Sequence, residues 1–207
     1  MDLVLILKEL YKKRKMRKYL LLADLFDYPT VELADSLAAC ENELGAKIPE
    51  EIVAIEKFKE HIESKNIGEQ QEYYSKTFDV NALCCIDIGY VIFGEDYKRG
   101  EFLVNMQNEQ RIAGHHFETE LADHFPNVLR LFYYHKNREF VDELAYCMII
   151  PALTEIIDNF RSPDNIYRNL LVMLLEILEK GFGHCTMEQI NIVKEKDTKM
   201  FNRACKV

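Results

Sequence analysis

Apolar residues recur along most of the chain at intervals of three and four positions, the spacing that gives a helix one buried face. The strongest stripe runs from Leu170 to Leu178 and ends at Gly181-Phe182-Gly183. Glycine, proline and short polar runs separate the stripes, so the connections are short. The pattern predicts an all-α bundle of about ten helices in a single domain over residues 1–207. At its periphery we expect a basic helix or bend at 1–18 and a polar tail at 195–207.

Several helix boundaries follow from residues with strong backbone preferences. Pro49 suits a first helical position, because first-turn amides have no intrahelical partner to lose. Thr30 is expected to be the N-cap of the helix that follows it, whose apolar stripe runs from Leu33 to Leu44. Thr186 and Gln189 have the spacing of a capping box, which predicts a last helix that includes residues 190–193.

Three other windows need interpretation. The apolar face that begins at Ile52 continues past Ile62, and we expect it to end at Gly68. Residues 81–93 mix β-branched and aromatic residues that a strand would also accept, but no hairpin partner follows and helices flank the window on both sides. We interpret 81–93 as a buried helix. Pro151 is expected to restart the chain between two helical faces.

Residues 94–137 are predicted to form two helices joined by an acidic turn that contains histidine. The first begins near Tyr97 and ends at Gly114, where glycine takes the left-handed conformation that closes a helix. The second follows the turn at 120–126, with Asp123 as its N-cap and Pro126 in its first turn. The expected apolar faces comprise Phe102, Leu103, Met106 and Ala113 in the first helix, and Phe125, Val128, Leu129 and Phe132 in the second.

Composition and charge narrow the classes of partner. Apolar residues make up 48% of the chain and charged residues 29%, the balance of a globular domain that buries its own core. The net charge of −9 disfavours nucleic acid, because phosphate binding requires cations, and it suits a basic ligand better. The basic cluster at 12–18 is typical of a solvated helix face or an exposed bend. Contact with an anionic membrane surface or with an acidic patch on a partner is the alternative.

No apolar run is long enough to cross a membrane, and the short apolar segment at 3–7 is followed, not preceded, by basic residues, unlike a signal peptide. These features predict a cytoplasmic protein without membrane insertion. The six cysteines are scattered and include no C-x-x-C pair. We therefore expect thiols that act as small buried hydrophobes and no disulfide framework.

Motifs for catalysis or cofactor binding are weak. The chain has no glycine-rich phosphate loop, no metal-binding histidine motif and no serine nucleophile elbow, so we expect no enzymatic activity, no cofactor and no metal. Glu120, Asp123 and His124 have the chemistry of a general acid and base, but nothing nearby supplies a nucleophile, an oxyanion donor or a metal. In the structural alternative Asp123 caps a helix and His124 bonds to the backbone, and both interpretations stay open.

Three features in a fixed order carry a resemblance to a known family. Arg99-Gly100 opens an apolar helix, Ala113-Gly114 ends it, and Glu-Leu-x-Asp-His-x-Pro at 120–126 precedes a second apolar helix. Upstream, Tyr-Tyr-Ser-Lys-Thr-Phe-Asp at 73–79 is similar to a Tyr-x-x-Thr-Phe-Asp element at about the same distance. From 73 to 137 the chain resembles the NarJ/TorD/DmsD family of redox-enzyme maturation chaperones. It is most similar to the NarJ branch, the nitrate reductase delta subunits and molybdenum-cofactor assembly chaperones.

The resemblance implies a TorD/NarJ-like helical fold and a chaperone that performs no reaction. In that family the acidic turn lies beside an apolar groove that holds the N-terminal segment of a molybdoenzyme catalytic subunit. An amphipathic segment buries its apolar side there while carboxylates meet its Arg or Lys. The implied partners are the cofactor-free catalytic subunit of a nitrate reductase-like enzyme of the dimethyl sulfoxide reductase family, and proteins that deliver the molybdenum cofactor. The implied client-binding residues are Tyr97, Arg99, Phe102, Met106, Glu120, Asp123, His124, Phe125, Pro126 and Arg130.

The chain departs from the family pattern at Ala122, where proline is usual, and at Arg130, where glutamate is usual. Arg130 inverts a charge on the expected binding face, which indicates a peptide of different charge. On helical spacing alone, Phe102 and Met106 are also consistent with ordinary core residues, and Arg99 with binding a carboxylate inside the domain. A generic helical adaptor without a molybdoenzyme client is the alternative function.

Overall fold

The computed structural model describes residues 3–44, 49–79, 85–117 and 119–192. Within these ranges the chain is all-helical, which confirms the predicted bundle of about ten helices, and the only β-type pairing is an isolated antiparallel bridge between Asp87 and His124. The elements are α1 (Leu3–Asp24), α2 (Leu33–Leu44), α3 (Pro49–Glu63), α4 (Ile67–Phe78), α5 (Ile88–Phe93), α6 (Tyr97–Ala113), α7 (Phe125–Tyr134), α8 (Arg138–Leu144), a π-helix (Ala145–Ile149), α9 (Ile150–Asp158) and α10 (Ile166–Phe182).

The core is organised around α7, which packs along α1 and is apolar on most of its circumference. Tyr19 of α1, Phe132 of α7 and Phe182 of α10 form an aromatic cluster with ring centroids 5.5–5.6 Å apart. Phe26 meets Phe125 edge to face nearby, and all five rings are almost completely buried. The cluster fixes the start of α7, and with it the turn that precedes the helix.

The basic cluster lies within α1, which is one continuous helix from Leu3 to Asp24. Lys13, Arg14, Lys15 and Arg17 are exposed whereas Met16 is buried, so the interpretation as a solvated helix face is confirmed for the described side chains. Among the described residues, no helix combines the length and apolar character that a membrane span requires.

Some predicted helix boundaries are confirmed and others are wrong. Helix α3 begins at Pro49, and α6 ends at Gly114 in the left-handed conformation with φ of 70°. The face expected to end at Gly68 instead divides at residues 64–66, because Asn66 starts α4 with a complete capping box. Thr30 does not cap α2, which begins three residues later; its hydroxyl accepts a hydrogen bond from the Glu32 amide in the turn before the helix.

The window 81–93 is only partly helical. Residues 81–84 lie outside the described part of the chain, and α5 covers only 88–93. Between them, 85–87 are extended and pair with the residues before α7: the Phe125 amide donates to the Ile86 carbonyl at 3.0 Å and the Ile88 amide to the Asp123 carbonyl at 2.9 Å. The prediction of a single buried helix is therefore wrong for 85–87.

Pro151 does not restart the chain but widens the helix. Proline has no amide hydrogen, so the Cys147 carbonyl four residues earlier loses its usual donor. The helix opens into the π-helix just before Pro151, with the Ile150 amide bonded to the Ala145 carbonyl. The Tyr146 and Cys147 carbonyls are thereby left for donors from elsewhere in the chain.

Those donors come from residues 183–192, here called the C-terminal strap. The Gln189 side-chain amide donates to the Tyr146 carbonyl at 3.3 Å and the Ile190 amide to the Cys147 carbonyl at 2.9 Å. The strap contains no helix, so the predicted last helix is wrong as far as Ile192, and Val193 lies outside the described residues. The freed carbonyl acceptors outweigh the local helix signal, because an unpaired backbone acceptor is costly.

Candidate functional site

A cleft of about 400 Å³ opens where the extended segment 85–87 meets the turn before α7. Its floor includes the apolar side chains of Tyr74 and Phe78, both only 4% exposed. Its walls come from four further parts of the fold, so that distant segments of the sequence share one surface. The lining residues are Tyr74, Phe78 and Asp79 at the end of α4, Cys85, Ile86 and Asp87, Tyr90 of α5, Arg99 of α6, and Glu120 and His124 of the turn.

The element at 73–79 sets the position of the cleft floor. The Tyr73 hydroxyl accepts a hydrogen bond from the Ile166 amide at 3.1 Å, and the Thr77 hydroxyl accepts one from the Asn165 side chain at 3.1 Å. Both contacts tie α4 to the start of α10. On the adjoining face Tyr74 donates to the Phe26 carbonyl at 3.0 Å. The tyrosines and the threonine thus anchor α4, and its last turn faces the cleft.

The acidic turn is held from both sides. The side-chain amide of Gln110 in α6 donates to the Ala122 carbonyl at 2.8 Å, and the side chain of Asn127 in α7 donates to the Leu121 carbonyl at 3.0 Å. Ala122 itself is fully buried. This arrangement leaves Glu120 exposed on the rim of the cleft, and it turns His124 toward Asp87.

Asp87 is the electrostatic centre of the cleft. One of its carboxylate oxygens lies 3.0 Å from His124 Nδ1 and the other 3.4 Å from an Arg99 terminal nitrogen. Burial raises the pKa of Asp87, but the hydrogen bond and charge of His124 and the charge of Arg99 outweigh it and lower the pKa overall. Arg99 also covers the Tyr90 ring, with its guanidinium carbon 5.3 Å from the ring centroid. The expectation that Arg99 binds a carboxylate inside the domain is confirmed.

Asp123 is fully buried beneath the cleft and does not line it. Its Oδ2 accepts a hydrogen bond from the Gly89 amide at 3.1 Å and lies 3.6 Å from Arg99 Nε, so the side chain caps α5. The predicted role as N-cap of α7 is wrong: His124 occupies that position, and its side chain makes no capping bond. Burial raises the pKa of Asp123 and the neighbouring Asp87 adds to the rise, with Arg99 acting against both.

The remaining residues predicted for client binding lie elsewhere. Phe102, Met106, Phe125 and Pro126 are buried in the core and do not line the cleft, as their helical spacing also allowed. Tyr97 is 73% exposed at the start of α6, outside the cleft lining. Of the ten predicted residues, the structure brings Arg99, Glu120 and His124 together at the cleft.

Arg130 also lies outside the cleft lining, and its charge is neutralised within the domain. Its guanidinium bonds to Asp24 at 2.7 Å and to both carboxylate oxygens of Asp27. These bonds tie α7 to the end of α1. The idea that Arg130 inverts the charge of the binding face is therefore wrong for this cleft.

Sequence reasoning missed Asp79, Asp87 and Tyr90. The element at 73–79 was a usable signal for Asp79, since it carries part of the resemblance. Asp87 and Tyr90 carry no motif; they reach the cleft only through the pairing of 85–87 with the turn.

The charge and shape of the cleft suit a particular kind of ligand. Asp79, Asp87 and Glu120 outnumber Arg99 and His124, and the floor is apolar. Asp87 is occupied by its two partners, whereas Asp79 and Glu120 are exposed and form no ion pair within the described residues. The cleft therefore favours a ligand with an apolar body and a cationic end.

Two observations bear on the chemistry of the cleft. Burial raises the pKa of the Cys85 thiol to about 11, so the thiol is protonated near neutral pH and is a weak nucleophile. In the part of the chain that the structure describes, no three His, Cys, Asp or Glu side chains are grouped to hold a metal ion.

Comparison with known proteins finds no family model that matches the chain and no matching curated protein.

Proposed function

We propose that this protein is a cytoplasmic maturation chaperone for a molybdenum oxidoreductase. It binds the N-terminal segment of the cofactor-free catalytic subunit, of the nitrate reductase-like type in the dimethyl sulfoxide reductase family, and assists cofactor insertion and assembly. One observation carries the proposal: the separate segments that resemble the family, at 73–79, at Arg99 and at 120–126, contribute to a single cleft.

The cleft suits such a segment physically. An amphipathic peptide buries apolar side chains against Tyr74 and Phe78, while Asp79 and Glu120 meet its Arg or Lys in charge-assisted hydrogen bonds. The chaperone performs no reaction of its own. It must prefer the open, empty client, because a ligand shifts an equilibrium only by its differential affinity for the two states.

The direct test is co-expression of the full chain with the apo catalytic subunit of a molybdenum oxidoreductase from the same genome. We expect the two proteins to purify together, and the complex to be lost when the first residues of the client are deleted. Retention of the complex after that deletion would refute binding through the N-terminal segment.

Charge reversal at the rim tests the cleft itself. Glu120→Lys should weaken binding of the client's synthetic N-terminal peptide by roughly tenfold or more, because it replaces attraction of a cation with repulsion. Glu101→Lys is the matched control, since Glu101 is an exposed acid on α6 outside the cleft lining. Equal affinity of both variants and the wild type would favour the generic adaptor. Turnover of a small molecule in the cleft would instead favour an enzyme.

A further inference from the structure

Helix α1 presents a concentration of positive charge to solvent. Six of the 26 Lys and Arg residues of the chain lie at 12–18, and none of the 35 Asp and Glu residues do. Lys13, Arg14, Lys15 and Arg17 are exposed, and we call these four residues the basic face. Met16, which lies among them in the sequence, is buried, so the opposite side of the helix is packed. The sign of the basic face is opposite to the net charge of −9.

The charge of the basic face is not neutralised within the part of the fold that the structure describes. None of its four residues forms an ion pair with a described residue. The next acids along the chain, Asp24 and Asp27, are both bonded to Arg130. Lys13 Nζ lies 5.0 Å from the centroid of the Tyr133 ring on α7, a contact that orients the side chain without cancelling its charge. The face therefore retains its cations for an anionic partner.

The cations are spread around the helix and do not follow a single line. Successive residues of an α-helix are turned by about 100°, so about 200° separates Lys13 from Lys15, with Arg14 and Arg17 between them. A rigid, flat acidic surface meets only part of such an arc. Lipid headgroups move laterally, and the long stems of Lys and Arg let charges on the flanks of a helix reach the same plane. The arrangement therefore fits a deformable anionic layer better than a fixed set of carboxylates.

We propose that the basic face binds the surface of an anionic membrane, so that the protein attaches to it peripherally and reversibly through α1. Clusters of about four to eight Lys and Arg on a helix are typical of binding to anionic lipid. The acidic character of the whole chain opposes this contact only weakly, because salt screens charges beyond about 8 Å at physiological ionic strength. The attachment inserts no part of the chain into the bilayer. It does not depend on the proposed chaperone function, since no residue of the basic face lines the cleft.

The test measures flotation of the full-length protein with lipid vesicles. We expect binding to equal mixtures of phosphatidylserine and phosphatidylcholine, and none to phosphatidylcholine alone. Binding should be lost when NaCl is raised from about 0.1 M to about 1 M, because the Debye length falls from about 10 Å to about 3 Å. Failure to bind the mixed vesicles at the lower salt concentration would overturn the proposal, and so would equal binding to both kinds of vesicle.

Neutralising variants assign the binding to the basic face. Each Lys or Arg near an anionic surface strengthens binding about fivefold, so Arg14→Gln combined with Arg17→Gln should weaken binding by roughly 25-fold. Lys57→Gln combined with Arg161→Gln is the matched control. It removes two exposed cations, from α3 and from the segment after α9, and changes the net charge equally. The control should bind like the wild type; an equal loss in both variants would show that net charge decides and would refute the basic face as the contact.

Two further measurements complete the test. Circular dichroism checks that each variant is folded, and Lys13→Gln combined with Lys15→Gln serves as the second variant of the face if the arginine pair is not. Poly-glutamate and a DNA duplex represent an acidic protein and a nucleic acid. If either bound the wild type at about 0.1 M NaCl while the mixed vesicles did not, the face would be a site for that class of macromolecule and the proposal would be wrong.

Discussion

The close approach of α5 to Asp123 leaves no room for a side chain at Gly89. A Cβ atom at this residue would lie 2.6 Å from Asp123 Oδ2 and 2.9 Å from the Phe102 ring. Those neighbours would have to move by about 0.8 Å or 0.5 Å to reach the 3.4 Å of ordinary contact. Because Asp123 Oδ2 is also the acceptor for the Gly89 amide, moving it strains the bond that caps α5.

The expected cost of Gly89→Ala follows from these contacts. Overpacking in a rigid core costs about 1–3 kcal/mol, and a hydrogen bond to a charged group contributes about 1.5–3 kcal/mol. Replacing glycine by alanine within a helix stabilises the folded state by about 0.5–1 kcal/mol, which offsets part of this cost. Gly89→Ala should therefore lower the free energy of unfolding by roughly 2–4 kcal/mol, and shift the urea midpoint down by about 1–2 M.

Gly100→Ala is the matched control. Gly100 lies inside α6, and a Cβ there meets nothing within 4 Å, so the substitution should raise the free energy of unfolding by up to about 1 kcal/mol. Urea unfolding followed by circular dichroism measures both variants. An unchanged midpoint for Gly89→Ala, with an unchanged slope, would refute the view that Asp123 and Phe102 are fixed against α5.

Three further predictions concern the surroundings of the site. Arg130→Met should cost about 1–2 kcal/mol in urea unfolding, because it abolishes the ion pairs to Asp24 and Asp27; an unchanged urea midpoint would exclude this role. Asn165→Ala should cost about 1–2 kcal/mol by the same measurement, since the Asn165 side chain caps α10 by accepting from the Tyr167 and Arg168 amides. A loss of less than about 0.3 kcal/mol would exclude this role. The pKa of Asp87 is lowered in the folded state. Its ionisation therefore stabilises the fold at pH values above the ordinary carboxyl pKa, and this contribution disappears as the pH falls through the lowered pKa. Asp87→Asn should therefore be less stable than wild type at pH 7 and converge with it as the pH falls through the lowered pKa; a constant difference across the titration would contradict the pairing with His124.

Helices with one buried face were predictable because apolar spacing marks the face and a residue with a strong backbone preference marks one end of the helix. Gly114 closes α6 in the left-handed conformation, and Pro49 starts α3. The stripe from 170 to 178 lies within α10, which ends immediately before its C-cap Gly183. At these positions the local preference and the tertiary structure agree, so spacing alone was sufficient.

Two sequences with the spacing of a capping box have different outcomes in the fold. Asn66 and Glu69 form both bonds of the box and start α4 ahead of Gly68, where the apolar face was expected to end. Thr186 and Gln189 have equivalent spacing, but the side chain of Gln189 binds the Tyr146 carbonyl instead of starting a helix. The deciding factor is Pro151, thirty-eight residues away from Gln189. It leaves the Tyr146 and Cys147 carbonyls without helical donors, and the strap then binds to them.

The cleft could be predicted only in part for a related reason. The motif residues Arg99, Glu120 and His124 were identified from the sequence, and they line the same cleft in the fold. Asp87 was not predictable, because its role depends on pairing between 85–87 and the turn before α7, a contact between distant residues that no local pattern encodes. The two carboxylates of the acidic turn also have different roles, which their sequence does not distinguish: Glu120 faces solvent and Asp123 is buried.

That division gives a last prediction. Asp123→Ala removes the acceptor of the Gly89 amide and a neighbour of Arg99, so it should cost about 2–4 kcal/mol of stability. Asp123→Asn keeps an acceptor oxygen and should cost less. Because the folded pKa of Asp123 is raised, its ionisation opposes folding as pH rises through the window between the unfolded and folded pKa, and the Asn variant should lack this loss.

Glu120→Gln is the counterpart at the rim. Glu120 is exposed, so this variant should unfold within about 0.5 kcal/mol of wild type while it weakens binding of a cationic peptide. If Asp123→Asn weakened peptide binding at full stability and Glu120→Gln did not, the buried carboxylate would be the recognition group. The assignment of the rim of the cleft as the contact surface would then be wrong.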